Sequence, residues 1–343
     1  EEAAGGGRVG AYDWRLLLCF TYTDGDSAAC LPKGLFSRLA PGQKVGRYPG
    51  LRGSLWRRES LCSLVQNSRL VGSVRALIPP CYALPNHLDA LTAAAHALPD
   101  HHTWVIKNPG GSSRPITVID NKKLLDQIKD KRVGAGQVVQ THCSPALEVL
   151  GAMISVRLYV AVTALQPLRC HIHSYGEVTF RQPPSRGYHK IPGRWWTWSE
   201  LVQWVGRTHG EENMQDMVAR TEAALVTLAL IMDLVLPPRA PHMGGKEERR
   251  SRRFRCDNCF QLLAVELVYN STFHPSIIEV NGQPDLSSQE QPNDALGPKQ
   301  WRESLTSVGR TQVAQDLLDM LTKEDKVADD VQEMFDEAMD NIG

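Results

Sequence analysis

Two apolar runs near the end of the chain constrain its fold more than any other feature. The first is FQLLAVELV, residues 260–268, and the second is SIIEVN, residues 276–281. Both are rich in the branched and apolar residues that strands favour, and Asn270-Ser271-Thr272 lies between them as a turn signal. The sequence therefore predicts an antiparallel hairpin whose strands are buried in a core.

Oxygen-bearing side chains interrupt these apolar runs. Residues two apart on a strand point to the same face, so Glu279 and Asn281 project together. Ile278 and Val280 should then face the core. Pairing of the two strands brings Glu266 beside the other two polar side chains. Two carboxylates and an amide oxygen suit Mg²⁺, which prefers one or two carboxylates together with water and substrate phosphates. The alternative is a glutamate that reaches solvent at a strand end, followed by an Asn-Gly turn.

A lysine at the end of another apolar strand indicates a place for phosphate. Lys107 closes the run WVIK and precedes the loop NPGGSSRP, which has Arg114 on its far side. Backbone donors in such a loop can approach phosphate, and an ammonium group can meet its charge. The loop lacks the Gly-Lys-Ser/Thr of a P-loop, so this stretch alone does not identify a nucleotide site.

The remaining periodicity predicts an α+β fold, or a mixed α/β one. We expect helices over 54–70, 88–98, 122–131 and 214–236, with two more within 297–342. We expect strands over 104–107, 117–119, 137–140 and 156–165, and a hairpin over 170–180. Early helices, a mixed centre and a late antiparallel pair lead to that fold class.

Composition excludes several classes of function. The 343 residues are 42% hydrophobic and 22% charged, which fits a globular protein with a sizeable core. A formal net charge of zero argues against a nucleic-acid partner for the chain as a whole. No apolar run approaches the roughly 20 residues that cross a bilayer. The eight scattered cysteines favour reduced thiols, although their even number leaves an oxidising lumen open.

Three further features favour structural interpretations. Cys256 and Cys259 could form half of a zinc site, but no second pair with matching spacing lies nearby. His171 and His173 alternate along a strand without an evident third ligand. KEERRSRRFR, residues 246–255, is expected to be a solvated loop, with the alternative of a basic surface that steers an acidic partner.

Several motifs resemble those of the tubulin-tyrosine-ligase-like family, which has an ATP-grasp fold. The late family motif is similar to CFQLLAVELV and PSIIEVNGQPDL, and the middle motif, Lys-Phe-Asp-Leu-Arg-x-Tyr, is similar to MISVRLYVAVT. TWVIKNPGGSSRP and QVVQTHCSPALEVLG resemble two further family segments. GRYPG, WRRESL and PPCYALP resemble upstream ones, so the resemblance runs in order over about residues 45–290.

The resemblance implies a set of site residues. The implied Mg²⁺ ligands are Glu266, Glu279 and Asn281. The implied nucleotide contacts are Lys107, Arg114, Gln140, Thr141, His142 and Cys143, the last four around the adenine. The implied catalytic residues are Lys107 and Arg157, the latter near the transferred phosphoryl group and the acceptor.

The resemblance also implies an organisation and an activity. An N-terminal extension (1–45) would precede an N-terminal lobe (46–103), central and C-terminal lobes around a nucleotide cleft (104–290), and C-terminal helices (291–343). The implied enzyme uses ATP and Mg²⁺ to join an amino acid to a protein carboxylate through an acyl-phosphate. Its partner would be tubulin or another acidic-tailed protein. The expected location is cytoplasmic or cytoskeletal, with a secretory lumen as the alternative.

The middle motif departs from the family pattern. The family lysine and aspartate fall on Met153 and Ser155, and a thioether and a hydroxyl cannot replace a charge pair. In the first loop, Pro115 stands where the family has glycine. These departures predict a weakened nucleotide site. They keep open an alternative function, that of a catalytically degenerate member that binds nucleotide or protein.

Overall fold

The computed structural model describes residues 16–17, 39–40, 42–48, 51, 55–67, 77–108, 116–165, 167–184, 188–235, 256, 258–282, 284 and 310–321. Its strands are β1 (Leu16–Leu17), β2 (Lys44–Val45), β3 (Cys81–Ala83), β4 (Thr103–Lys107), β5 (Thr117–Asp120), β6 (Val138–Thr141), β7 (Glu148–Val149), β8 (Ala152–Leu165), β9 (Leu168–Arg181), β10 (Lys190–Thr197), β11 (Gln261–Tyr269) and β12 (Pro275–Asn281). Its longer helices are α1 (Arg58–Asn67), α2 (Leu88–Ala97), α3 (Asn121–Lys129), α4 (Trp198–His209), α5 (Glu211–Val235) and α6 (310–321). This is the expected α+β fold.

A small antiparallel sheet has the strand order β3-β6-β4-β5. Helices α2 and α3 share its apolar cluster, in which Trp104, Leu91 and Leu124 are fully buried. The buried Asn121 side chain accepts a hydrogen bond from the Trp104 indole at 2.9 Å and donates one to the Ala95 carbonyl at 2.8 Å. This network fixes α2 and α3 relative to β4, which carries Lys107 at its end.

A large antiparallel sheet has the order β10-β9-β8-β11-β12, with β7 paired to the start of β8. Helices α4 and α5 pack with one face of it, where alternate β8 residues such as Val156 and Val160 are buried. The other face meets α6 through an apolar cluster that includes Tyr159, Ala264 and Leu317. The predicted hairpin is confirmed, since β11 and β12 pair antiparallel with Glu266 opposite Glu279.

Residues 170–180 do not form the predicted hairpin, and that prediction is wrong. They belong to one long strand, β9, which pairs with β8, and the chain reverses between Leu165 and Leu168 instead. The register of the β8–β9 pairing shifts between Leu158, which pairs with Gly176, and Val160, which pairs with Ile172. Strand β9 therefore contains an irregularity before Gly176 instead of a turn. A side chain on Gly176 would collide with Leu158, because the two strands approach closely there.

Element boundaries differ modestly from those predicted. Helix α1 is shorter than the predicted span 54–70, and β8 begins four residues earlier than predicted. Of the two helices expected within 297–342, the structure describes α6, and the apolar stripe from Val327 to Ile342 lies outside the described residues. None of the described helices combines the length and apolar character needed to cross a membrane.

Two pairs of cysteines are bonded, which differs from the expectation of reduced thiols. Cys62 on α1 joins Cys81 at the start of β3, and Cys256 joins Cys259 before β11. The packing of α1 against β3, and the turn in which the Cys259 amide donates to the Cys256 carbonyl, bring these sulfur atoms together. Cys143 and Cys170 are free, and the remaining two cysteines lie outside the described residues.

Candidate functional site

A cleft of about 620 Å³, including its open mouth, lies between the two sheets. The small sheet and its exit contribute Lys107, Gln140, Thr141, His142 and Cys143, and the large sheet contributes Glu266 and Glu279. The structure thus brings together residues that are up to 172 positions apart in the sequence.

Charged residues form a row across the large sheet. Backbone pairing places Glu177, Arg157, Glu266 and Glu279 side by side on β9, β8, β11 and β12. The Arg157 guanidinium bonds a Glu266 carboxylate oxygen at 2.5 Å, and Arg58 bonds Glu279 at 3.1 Å. Burial opposes the charge on Arg157, but Glu266 and then Glu177 outweigh burial and raise its pKa. The row therefore remains charged inside the fold.

A bulge in β12 changes which of its residues face the core. The register shifts between Glu266 and Leu267, which pairs with Ile277 rather than Ile278. Ile277 and Val280 are consequently the buried pair, while Ile278 lines the cleft together with Glu279. The prediction that Ile278 faces the core is wrong, because strict alternation fails where a strand carries an extra residue.

The Ile278 carbonyl exposed by this bulge receives Lys107. The Lys107 ammonium donates to it at 2.7 Å, and the lysine is only 4% exposed. Burial lowers the pKa of Lys107 to about 8, although Glu279 acts in the opposite direction. A buried amine beside a cleft is a favourable partner for phosphate, because an incoming anion restores the interactions that its ammonium lost with water.

The residues at the C-terminal end of β6 and directly after it form a mostly neutral surface. Burial lowers the pKa of His142 to about 4, so its ring is uncharged near neutral pH. Burial raises the pKa of the Cys143 thiol to about 11. Tyr188 contacts His142 edge to face, with ring centroids 5.5 Å apart. Apolar and aromatic surfaces of this kind, with few polar atoms, suit a planar heterocycle.

The remaining predicted residues have different positions. Arg157 lies beside the cleft through Glu266, and Asn281 follows Glu279 by two residues on β12, opposite Ala264. Neither contributes to the cleft lining. Arg114 and Pro115 lie outside the described residues. Met153 and Ser155 are buried at the start of β8, so no charged pair occupies those two positions.

Sequence reasoning missed several residues that support the site. Arg58 is not among the predicted site residues, yet it pairs with Glu279. Gly282 lies against the Trp56 indole, which would collide with any side chain at this position. The WRRESL motif carries both Trp56 and Arg58 and resembles an upstream family segment. It is therefore the sequence signal that could have indicated these two residues.

The donor set fits a hard cation. Glu266 and Glu279 lie directly opposite each other, with side chains 18% and 17% exposed. Each uses one oxygen for its arginine, and within the described part of the chain the second oxygen is left for a ligand. Two carboxylate donors, with waters and phosphate completing the shell, are typical of Mg²⁺. Among the described residues, no group of three or more His, Cys, Asp or Glu side chains is arranged to hold a metal ion, so the two glutamates would depend on other donors to complete the shell.

Comparison with known proteins adds a relationship to this geometry. A model of the tubulin-tyrosine ligase family matches residues 212–317, which include β11, β12 and part of α6. The chain is 20% identical over 241 residues to the probable tubulin polyglutamylase ttll-9 of Caenorhabditis elegans, covering 62% of this chain and 54% of the relative.

Two further relatives are tubulin polyglutamylases named ttll-4. Identity is 24% over 285 residues to that of Caenorhabditis briggsae, covering 75% of this chain and 45% of the relative. It is 24% over 277 residues to that of C. elegans, covering 75% and 44%. The chain spans about half the length of the curated relatives it matches. With an α+β fold consistent with the ATP-grasp architecture, these matches support a low-identity relationship between the chain and the tubulin-tyrosine ligase family.

Proposed function

We propose that the chain is an ATP- and Mg²⁺-dependent ligase that joins an amino acid to a protein carboxylate through an acyl-phosphate. One observation carries the proposal: Glu266 and Glu279 lie in register and share a cleft with the buried Lys107. Opposed carboxylates for a cation and an amine for phosphate are the groups that phosphoryl transfer requires.

Each residue has a role in this proposal. Glu266 and Glu279, with Asn281 nearby on β12, would hold Mg²⁺, which would neutralise charge on the phosphoryl oxygens. Lys107 would meet the phosphates from the opposite wall. Arg157 fixes the orientation of Glu266 and adds positive charge next to it. The neutral surface formed by 140–143 would receive the adenine.

The names of the relatives support a substrate class. Three of them are named as tubulin polyglutamylases, so we propose an acidic tail, such as that of tubulin, as the acceptor and an amino acid as the second substrate. A tubulin acceptor would place the protein at the cytoskeleton. The division into an N-terminal lobe (46–103) and lobes around the cleft (104–290) belongs to the same proposal.

A second function is favoured by Met153 and Ser155. Their neutral, buried side chains leave the start of β8 without the charge pair that the resemblance implies. A member of this kind would bind nucleotide or protein without completing the ligation.

Calorimetric titration with ATP and Mg²⁺ tests the nucleotide site. We expect the wild type to bind and Glu279→Gln to lose at least about tenfold in affinity, the scale of effects at metal sites. Glu212→Gln, a neutralisation at an exposed position on α5, should bind as the wild type does. Absence of binding at millimolar ATP would contradict both functions that involve nucleotide.

A mass measurement separates ligase from binding module. The protein is incubated with ATP, Mg²⁺, an acidic tail peptide and glutamate, glycine or tyrosine in separate reactions. A peptide mass increased by one amino-acid residue would support ligation. Nucleotide binding without any mass increase in these reactions would favour the second function.

A further inference from the structure

The cleft contains an arginine that the sequence motifs did not indicate. Arg181 is the last residue of β9 and lines the cleft together with Lys107, Glu266 and Glu279. It lies directly opposite Met153 on the neighbouring strand β8. The Arg181 guanidinium therefore lies on the strand next to Met153, the position at which the family motif has a lysine.

An aromatic ring holds Arg181 without neutralising it. The Arg181 guanidinium carbon lies 5.5 Å from the centroid of the Tyr188 ring, within the range of a cation–π interaction. Tyr188 is itself packed against His142 at the exit of β6. A stacked guanidinium loses little of its freedom to donate hydrogen bonds, because its donors lie in the plane of the group.

The charges around the cleft are otherwise committed to partners. Glu266 bonds Arg157, Glu279 bonds Arg58, and the Lys107 ammonium donates to a carbonyl. Among the described residues, Arg181 forms no ion pair with a carboxylate, in contrast to Arg157 and Arg58. A guanidinium of this kind, facing a cleft, is suited to bind an oxyanion through two parallel hydrogen bonds.

We propose that Arg181 binds a phosphate group of the nucleotide and supplies from β9 the positive charge that Met153 does not supply from β8. This inference rests on the proposed nucleotide site. A substrate carboxylate is an oxyanion with similar chemistry. Arg181, however, shares the cleft with Lys107 and with the two carboxylates proposed to hold Mg²⁺, and this arrangement favours a phosphate as its ligand.

The test measures nucleotide affinity by calorimetry in the presence of Mg²⁺. We expect Arg181→Gln to weaken ATP binding about tenfold or more, and Arg181→Lys to lose less because it keeps the charge. Binding of adenosine, which has no phosphate, should be the same in Arg181→Gln as in the wild type. The double variant Met153→Lys/Arg181→Gln should recover part of the lost ATP affinity, since the two positions face each other. Thermal unfolding of each variant verifies that the fold is retained.

Distinct results would overturn the inference. If the wild type binds ATP and Arg181→Gln binds it equally well, Arg181 is not a phosphate ligand, while the proposed nucleotide site stands. An unchanged ATP affinity with a higher KM for the amino acid would assign Arg181 to a substrate carboxylate. Equal loss of ATP and adenosine binding would indicate that Arg181 only shapes the cleft. If the wild type does not bind ATP, both this inference and the nucleotide site fail.

Discussion

The two walls of the cleft carry charge in different ways. On the large sheet, Glu266 and Glu279 line the cleft, and each bonds an arginine outside the lining, Arg157 and Arg58 respectively. Arg181 also lines this wall and forms no ion pair with a described carboxylate. On the small sheet and in the residues that follow β6, Lys107 is the one charged residue among the described residues that line the cleft. Its neighbours at 140–143 are uncharged near neutral pH.

This difference indicates which change each wall of the cleft should be sensitive to. Glu266 and Glu279 are each oriented by an arginine, so the large sheet presents its carboxylates in fixed positions before any ligand arrives. The small sheet holds a single ammonium that burial disfavours, and a bound anion would relieve that cost. The first wall should therefore be sensitive to the loss of one partner, and the second to pH.

Arg157→Met should have the largest effect, because it breaks the paired wall at its centre. It leaves Glu266 and Glu177 as neighbouring carboxylates without the cation between them. Removal of one partner from a fully buried pair costs about 3–5 kcal/mol, and the partial exposure of this pair reduces the expectation to about 2 kcal/mol. Denaturant unfolding measures this loss. Arg207→Met, at an exposed position on α4, should change stability little, and an equal loss in both variants would contradict the argument.

Lys107→Met tests the second wall through pH. The pKa of Lys107 is about 8 in the folded protein, below its ordinary value of 10.5. Between these pH values the unfolded chain binds more protons than the folded chain, so this residue makes stability rise with pH. Without metal or nucleotide, the wild type should gain up to about 1.4 kcal/mol per pH unit relative to Lys107→Met in this window.

Denaturant unfolding at pH 7.5 and 9.5 measures that difference. Lys123→Met removes an exposed lysine and should show the same pH dependence as the wild type. If Lys107→Met and the wild type change in parallel, Lys107 is not held in an unfavourable charged state.

Arg310→Gln should have the smallest effect, because it acts at the edge of the paired wall. Arg310 on α6 bonds both carboxylate oxygens of Glu177, at 2.9 and 3.2 Å, and these bonds outweigh burial and lower the pKa of Glu177. We expect a loss of about 1 kcal/mol, the scale of a partly exposed charged hydrogen bond.

Hydrogen exchange in α6 gives this prediction a local readout. The amides of α6 should exchange faster in Arg310→Gln than in the wild type, whereas those of α2 should not change. Gln315→Ala, at an exposed position on the same helix, is the matched control. Unchanged exchange in α6 of Arg310→Gln would show that the apolar cluster alone holds this helix.

The late hairpin illustrates what pattern can predict. Apolar runs of strand length, a turn between them and the spacing of Glu266, Glu279 and Asn281 were local signals, and the carboxylates do lie opposite each other. The failed hairpin at 170–180 shows the limit of such signals. A long strand that carries an irregularity resembles two short strands, and only its partner β8 distinguishes these possibilities.

The sequence by itself determined β4, β5, β6, the late hairpin and most of the polar residues that line the cleft, because periodicity and turn chemistry act over a few residues. The tertiary structure alone decided the bulge at Ile278, the carbonyl that receives Lys107, and the partners Arg58 and Arg310. It also placed Arg181 across from Met153. These contacts join segments far apart in the chain, so they depend on sheet register and packing rather than on local pattern.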